Sequence, residues 1–175
     1  MPGDGQTALA GFRDLAWRTA FRVGFPLARQ WWRLRQRPHE GALVAVYAGV
    51  GLLLVRSSYR VEWNLPGGGV RRDETPDAAA RRELAEEVGI AAAQLDPVGV
   101  TRGIWDGRPD RVHFFELRLG ELPRLRLDNR EIIAARLFAP DELGGVAVTG
   151  ALAAYLGGMA RPELRVRASI DVPAG

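Results

Sequence analysis

Cysteine is absent from the 175 residues. That removes disulfide scaffolds, zinc–thiolate sites, iron–sulfur clusters and any thiol nucleophile, and it agrees with a reducing cytoplasm. Lysine is absent as well: all 24 basic residues are Arg, a bias to which the sequence attaches no function. No apolar run approaches the roughly 18 to 20 residues that a membrane span needs. A secretory signal is not expected either, because Arg13, Arg18 and Arg22 interrupt what would have to be an uncharged apolar stretch. Hydrophobic residues at 47% and charged residues at 26% are ordinary for a globular chain. The length points to one domain large enough to need no metal or disulfide staple.

The formal charge of +3 is spread unevenly. Residues 1–38 hold seven Arg against Asp4 and Asp14, whereas the rest of the chain holds 17 Arg against 19 acidic residues. The basicity therefore belongs to an N-terminal arm. Residues 7–37 read as a basic amphipathic helix, with Phe12, Leu15, Ala16, Phe21, Leu27, Trp31 and Leu34 along much of one stripe and Pro26 kinking or dividing it. Trp17, Trp31 and Trp32 beside Arg suit packing on the domain or on a second copy, as a homodimer, ahead of an anionic membrane surface. Nucleic acid ranks last, because no reading motif accompanies the charge.

Residues 39–160 read as the body and 161–175 as a short strand or loose tail. Strands are expected at 42–48, 50–56, 60–65, 96–104, 111–119 and 132–138, with turn chemistry at 105–109. Gly67, Gly68 and Gly69 read as a loop. Thr75-Pro76 opens a helix over 76–88 that Gly89 ends, and a last helix is expected near 149–158.

The first of these helices carries the chemistry. Glu83, Glu86 and Glu87 fall within an arc of about 100°, so three like charges share one face and repel. Arg82 neutralises part of that charge. A divalent cation would do more, and an all-oxygen set suits Mg²⁺ or Mn²⁺ bridging to substrate phosphates. Ala80, Leu84 and Val88 on the opposite side can bury and hold the carboxylates outward, and the glycines before the helix let backbone approach a ligand.

Gly68, Glu74 and the run Arg82-Glu83-Leu84-Ala85-Glu86-Glu87-Val88-Gly89-Ile90 resemble the Nudix hydrolase signature at each of its fixed positions. The lead-in Trp63-Asn64-Leu65-Pro66-Gly67-Gly68-Gly69 is similar too. The likeness extends over about residues 41–145 in element order and is strict over 68–90. It implies an α/β (α+β) fold, an α/β/α sandwich around a central mixed sheet, here with the N-terminal helical extension added. It also implies hydrolysis of a diphosphate linkage in a nucleoside diphosphate derivative with Mg²⁺ or Mn²⁺.

Carried over by position, the resemblance makes Glu83, Glu86, Glu87 and the Gly68 backbone metal ligands, Arg82 an orienting residue and Glu74 a support. The general base is either Glu83 or a downstream acid, for which Glu131 is the first candidate and Glu116 a weaker one. Gly67, Gly69, Arg56 and Trp105 are candidates for contacting substrate, Trp105 by stacking on a base or, equally, as cover for the core edge. His113 reads as structural. The alternative is a Nudix-fold module that binds a nucleotide derivative without cleaving it. An isomerase on the same scaffold would use a cysteine that this chain lacks. The markers of the ADP-ribose, dinucleoside polyphosphate and coenzyme A subgroups are not at their spacings, Pro109 being the nearest approach to one, so the substrate stays unspecified.

Overall fold

The computed structural model describes residues 15–20, 22–25, 39–106 and 108–159. Most of the expected N-terminal helix and the whole 161–175 tail lie outside these residues. Where it is described, the N-terminal arm is helical, at residues 15–20 and 22–25.

The body is a mixed sheet of β1 (His39–Ala48), β2 (Gly51–Ser57), β3 (Gly67–Gly69), β4 (Asp96–Trp105), β5 (Arg108–Leu119) and β6 (Ile132–Phe138). The strand order is β4-β5-β1-β2-β6. Central β1 runs parallel to β5 over its whole length. On its other edge it is shared, antiparallel to β3 through Gly41–Leu43 and to β2 through Val46–Ala48. Every residue from Ala42 to Ala48 is buried, as expected of a strand covered on both faces.

Strict alternation divides β1 between two cores. Ala42, Val44 and Val46 pack with Ala79, Ala80, Leu84 and Val88 of α1 (Pro76–Val88). Leu43, Ala45 and Tyr47 pack with Leu152, Tyr155 and Leu156 of α2 (Gly150–Gly158). One helix on each face makes the expected sandwich. Thr75 caps α1 by accepting the Ala78 amide at 3.2 Å, Pro76 supplies the first helical residue, and the chain leaves through Gly89, whose amide reaches the Ala85 carbonyl at 3.1 Å.

Two elements differ from expectation. Residues 60–65 bend at 61–62 and make isolated bridges, Val55 to Asn64 and Trp63 to Val148, instead of a strand. Tyr59 and Arg60 are committed to side-chain bonds with Glu131 and Asp106, and the segment bends to make them. Conversely, Gly67–Gly69 is a strand. It pairs with Gly41–Leu43, because sheet hydrogen bonds need only backbone and this edge of β1 would otherwise lack a partner. The β4 and β5 strands also run on to Trp105 and from Arg108, leaving a two-residue connection that begins at Asp106.

Candidate active site

The glycine strand sets the geometry because it lies against α1 with no side chains between. Gly67 has φ 138°, and a Cβ there would stand 2.2 Å from the Ala42 carbonyl oxygen. A Cβ on Gly68 would stand 2.7 Å from the Glu83 carboxylate. Any side chain at either position would push the strand off the sheet or the carboxylate off the strand.

Arg82 organises the acids beneath. Its Nε and Nη2 donate to the two Glu74 oxygens at 2.8 and 2.9 Å, its Nη1 to Glu83 at 2.6 Å and Glu86 at 3.3 Å, and its Nη2 also to the Gly69 carbonyl at 3.2 Å. One planar guanidinium thus ties the helix, the glycine strand and the loop before the helix together. The Arg82 bonds hold the Glu74 carboxyl down at about 2. Glu83 lies above its ordinary value because it is buried, with Arg82 pulling it back and Glu86 and Glu131 pushing it up. Glu86 is exposed.

Glu87 is different. It is 8% exposed and accepts one hydrogen bond among the described residues, from the Gly67 amide at 2.9 Å. Burial drives its pKa well above the carboxylate range; the Gly67 amide opposes this, and the charges of Glu131, Glu83 and Asp128 add to it.

Gly67, Gly68, Gly69, Glu87, Glu131 and Trp105 all line one cleft of about 370 Å³. Glu131 lines the same cleft from just ahead of β6. The Asp128 carboxylate accepts the amides of Arg130, Glu131 and Ile132 at 3.3, 3.1 and 2.8 Å, a local turn that the Asp128-Asn129 pair encodes. The Glu131 carboxylate accepts the Tyr59 hydroxyl at 2.6 Å. Trp105 sits against Gly103 and Gly150, where an added Cβ would come within 2.6 and 2.5 Å of the indole, so its ring is both wall and core cover. Arg56 does not line the cleft; its guanidinium lies 5.3 Å over the Trp63 ring. Glu116 is buried in the layer under α2, held by the Tyr155 hydroxyl at 2.9 Å and Arg118 at 3.1 Å. His113 pairs with Glu40 at 2.7 Å.

The profile of the NUDIX domain matches residues 37–155. The chain belongs to the Nudix family.

Within that family, an RNA pyrophosphohydrolase of Alkalilimnicola ehrlichii is 42% identical over 67 residues, 38% of this chain and 36% of that protein. One from Marinomonas sp. is also 42% identical over 67 residues, 41% of its length. The chain thus spans well under half of the curated relatives it matches. A MutT NUDIX hydrolase structure from Burkholderia pseudomallei has a TM-score of 0.59 at 26% identity, covering 66% of this chain and 92% of that one.

Nudix hydrolases generally use divalent metals. As the side chains stand, no three His, Asp or Glu residues among those described are close enough to hold an ion together. The donors nevertheless fit one. They are all oxygen, Glu87 is a buried carboxylate with a single amide partner, and Gly68 is cut back to bare backbone beside Glu83. Among the described residues no helix is long and apolar enough to cross a membrane.

Tyr59, Arg60 and Asp128 were not legible as site residues. Asp128 carries a local turn signal; Tyr59 and Arg60 reach the cleft only through tertiary contacts.

Proposed function

We propose that this Nudix domain hydrolyses a diphosphate linkage in a nucleoside diphosphate derivative, with Mg²⁺ or Mn²⁺ held by Glu83, Glu86, Glu87 and the Gly68 carbonyl. The observation that carries this is Glu87. A carboxylate this buried, short of donors and ringed by other acids is costly unless a cation joins it. A bound divalent ion would neutralise phosphate oxygens and lower the pKa of a water.

The chain's own groups supply the rest. Arg82, locked to Glu74, holds Glu83 against the glycine strand and also reaches Glu86. Gly67 and Gly69 let a diphosphate approach the backbone of β3, and Trp105 walls the region where the remainder of the substrate would lie. Glu131, across the cleft from Glu87, accepts a proton from the attacking water as general base. Glu83 is the other candidate for that role, but its carboxylate is already engaged by Arg82 and packed on Gly68. The cytoplasm, which suits a cysteine-free chain acting on nucleotides, is the compartment we assign.

A second substrate reading is the 5′ diphosphate bond of an RNA end. It is favoured by the name of the 42% identical relatives, although the basic arm alone ranks nucleic acid last. Product chromatography on ADP-ribose, nucleoside triphosphates, dinucleoside polyphosphates, nucleotide sugars and a 5′-triphosphorylated RNA, with Mg²⁺ and Mn²⁺, tests both. Turnover that disappears in Glu86→Gln and Glu87→Gln is the expected result. Tight binding with no turnover of any member would favour the non-catalytic binding module.

A further inference from the structure

The helical residues at 15–20 and 22–25 precede the stretch that the NUDIX profile matches, so the family reading gives them no task. Their contacts do. The Phe25 ring stacks on Tyr59, centroids 4.4 Å apart and 27° between planes. The Arg60 guanidinium lies 4.7 Å over the same Phe25 ring. Arg18 Nε donates to the Asn129 carbonyl at 2.8 Å. All three contacts fall on the two segments that present Glu131: the 58–60 turn and the 128–131 turn.

Those two segments are themselves joined at Glu131. Its carbonyl accepts the Ser58 amide at 2.7 Å and its carboxylate the Tyr59 hydroxyl at 2.6 Å. Burial and the Glu131 charge keep Tyr59 a neutral donor by raising its pKa. Its neighbour Arg60 pairs with Asp106, across the cleft at the β4–β5 turn. Tyr59, Arg60, Asp106 and Glu131 all line the cleft.

We infer that Tyr59 is a positioning residue for Glu131, and that the N-terminal helix completes the active site of its own chain by fixing Tyr59 through Phe25. An O–H donated to one carboxylate oxygen fixes the rotamer of the group and leaves the other oxygen free for a water. A tyrosine stacked on one side loses little freedom when it makes that bond. The arm's aromatic content is thereby used within the chain, at least at Phe25, rather than reserved for a second copy or a lipid surface. This rests on Glu131 being the base proposed above.

The test is steady-state kinetics of the full chain on whichever panel member it turns over, with a melting temperature for each variant. Tyr59→Phe should lower kcat about tenfold with KM little changed. Phe25→Ala should lower kcat by a smaller factor, and Phe25→Tyr, which keeps the stacking ring, should restore it. In a Glu131→Gln background neither Tyr59→Phe nor Phe25→Ala should lower kcat further, since both act through the carboxylate already removed. Unchanged kcat in the two single variants, or full multiplication of their effects onto Glu131→Gln, would overturn the inference. If Glu131→Gln keeps wild-type turnover while Glu87→Gln loses it, Glu131 is not the base and the inference falls with the hydrolase reading intact. If Glu87→Gln also keeps turnover, the hydrolase mechanism itself fails.

Discussion

Glu87 and Glu116 are the two buried charged residues among those described, 8% and 6% exposed, and they sit on opposite faces of the same sheet. Under α2, Glu116 receives the Tyr155 hydroxyl and Arg118, and Tyr155 in turn meets Tyr47 at 2.6 Å. Under α1, Glu87 receives one backbone amide and faces Glu83, Glu131 and Asp128. A buried carboxylate whose donors are supplied by its own core is a packing element. One whose neighbours are mostly acids is, on the function proposed above, a ligand for a cation. Burial alone does not separate the two; the partners do.

Substituting each glutamate should break the comparison most visibly. Glu87→Gln should lower kcat by about a hundredfold or more, since a cation ligand supports several kcal/mol of transition-state charge stabilisation. Glu116→Gln should leave kcat within a few fold, as measured on the same substrate. Next in size is Glu74→Gln, which frees Arg82 to turn away from Glu83 and should cost roughly 10- to 100-fold in activity or metal affinity. Its effect on stability has a defined pH window. The Glu74 carboxyl is lowered to about 2, so its contribution is full above the ordinary value near 4.5 and lost as pH falls through 2. Melts of wild type and Glu74→Gln should converge across that interval.

How much of this contrast the sequence carried follows from the same residues. Glu87 was legible because Glu83, Glu86 and Glu87 repeat at helical spacing behind a glycine run, so local periodicity alone places them on one face. Glu116 sits in an apolar strand with no local sign of Tyr47 or Tyr155, which are 69 and 39 residues away, and it therefore resembled a weak second candidate for the base. The sandwich was readable from strand and helix order. The strand at Gly67–Gly69 was not, because its glycines mark a loop by propensity and become a strand only through the free edge of β1. The Tyr59 contact was invisible for the same reason as Glu116's partners.

Stability should respond in the opposite sense on the two faces. Glu87 has a raised pKa, so the metal-free fold loses stability as pH climbs from the ordinary carboxylate value to the raised one. Glu87→Gln should melt higher than metal-free wild type at pH 8, the gap closing toward pH 4. Tyr155→Phe should lower stability by roughly 1.5 to 3 kcal/mol, having removed a donor from the buried Glu116 side chain. Tyr47→Phe, which removes the hydroxyl that meets Tyr155, should lower stability by about 1 kcal/mol and leave kcat unchanged.

The most direct measurement is the rate of diphosphate hydrolysis as Mg²⁺ or Mn²⁺ is titrated into metal-stripped wild type and Glu87→Gln. Turnover that rises with metal in wild type, falls on chelation and is absent from Glu87→Gln is the predicted result. Turnover that persists without metal, or a Glu87→Gln curve that overlays the wild type, would contradict it.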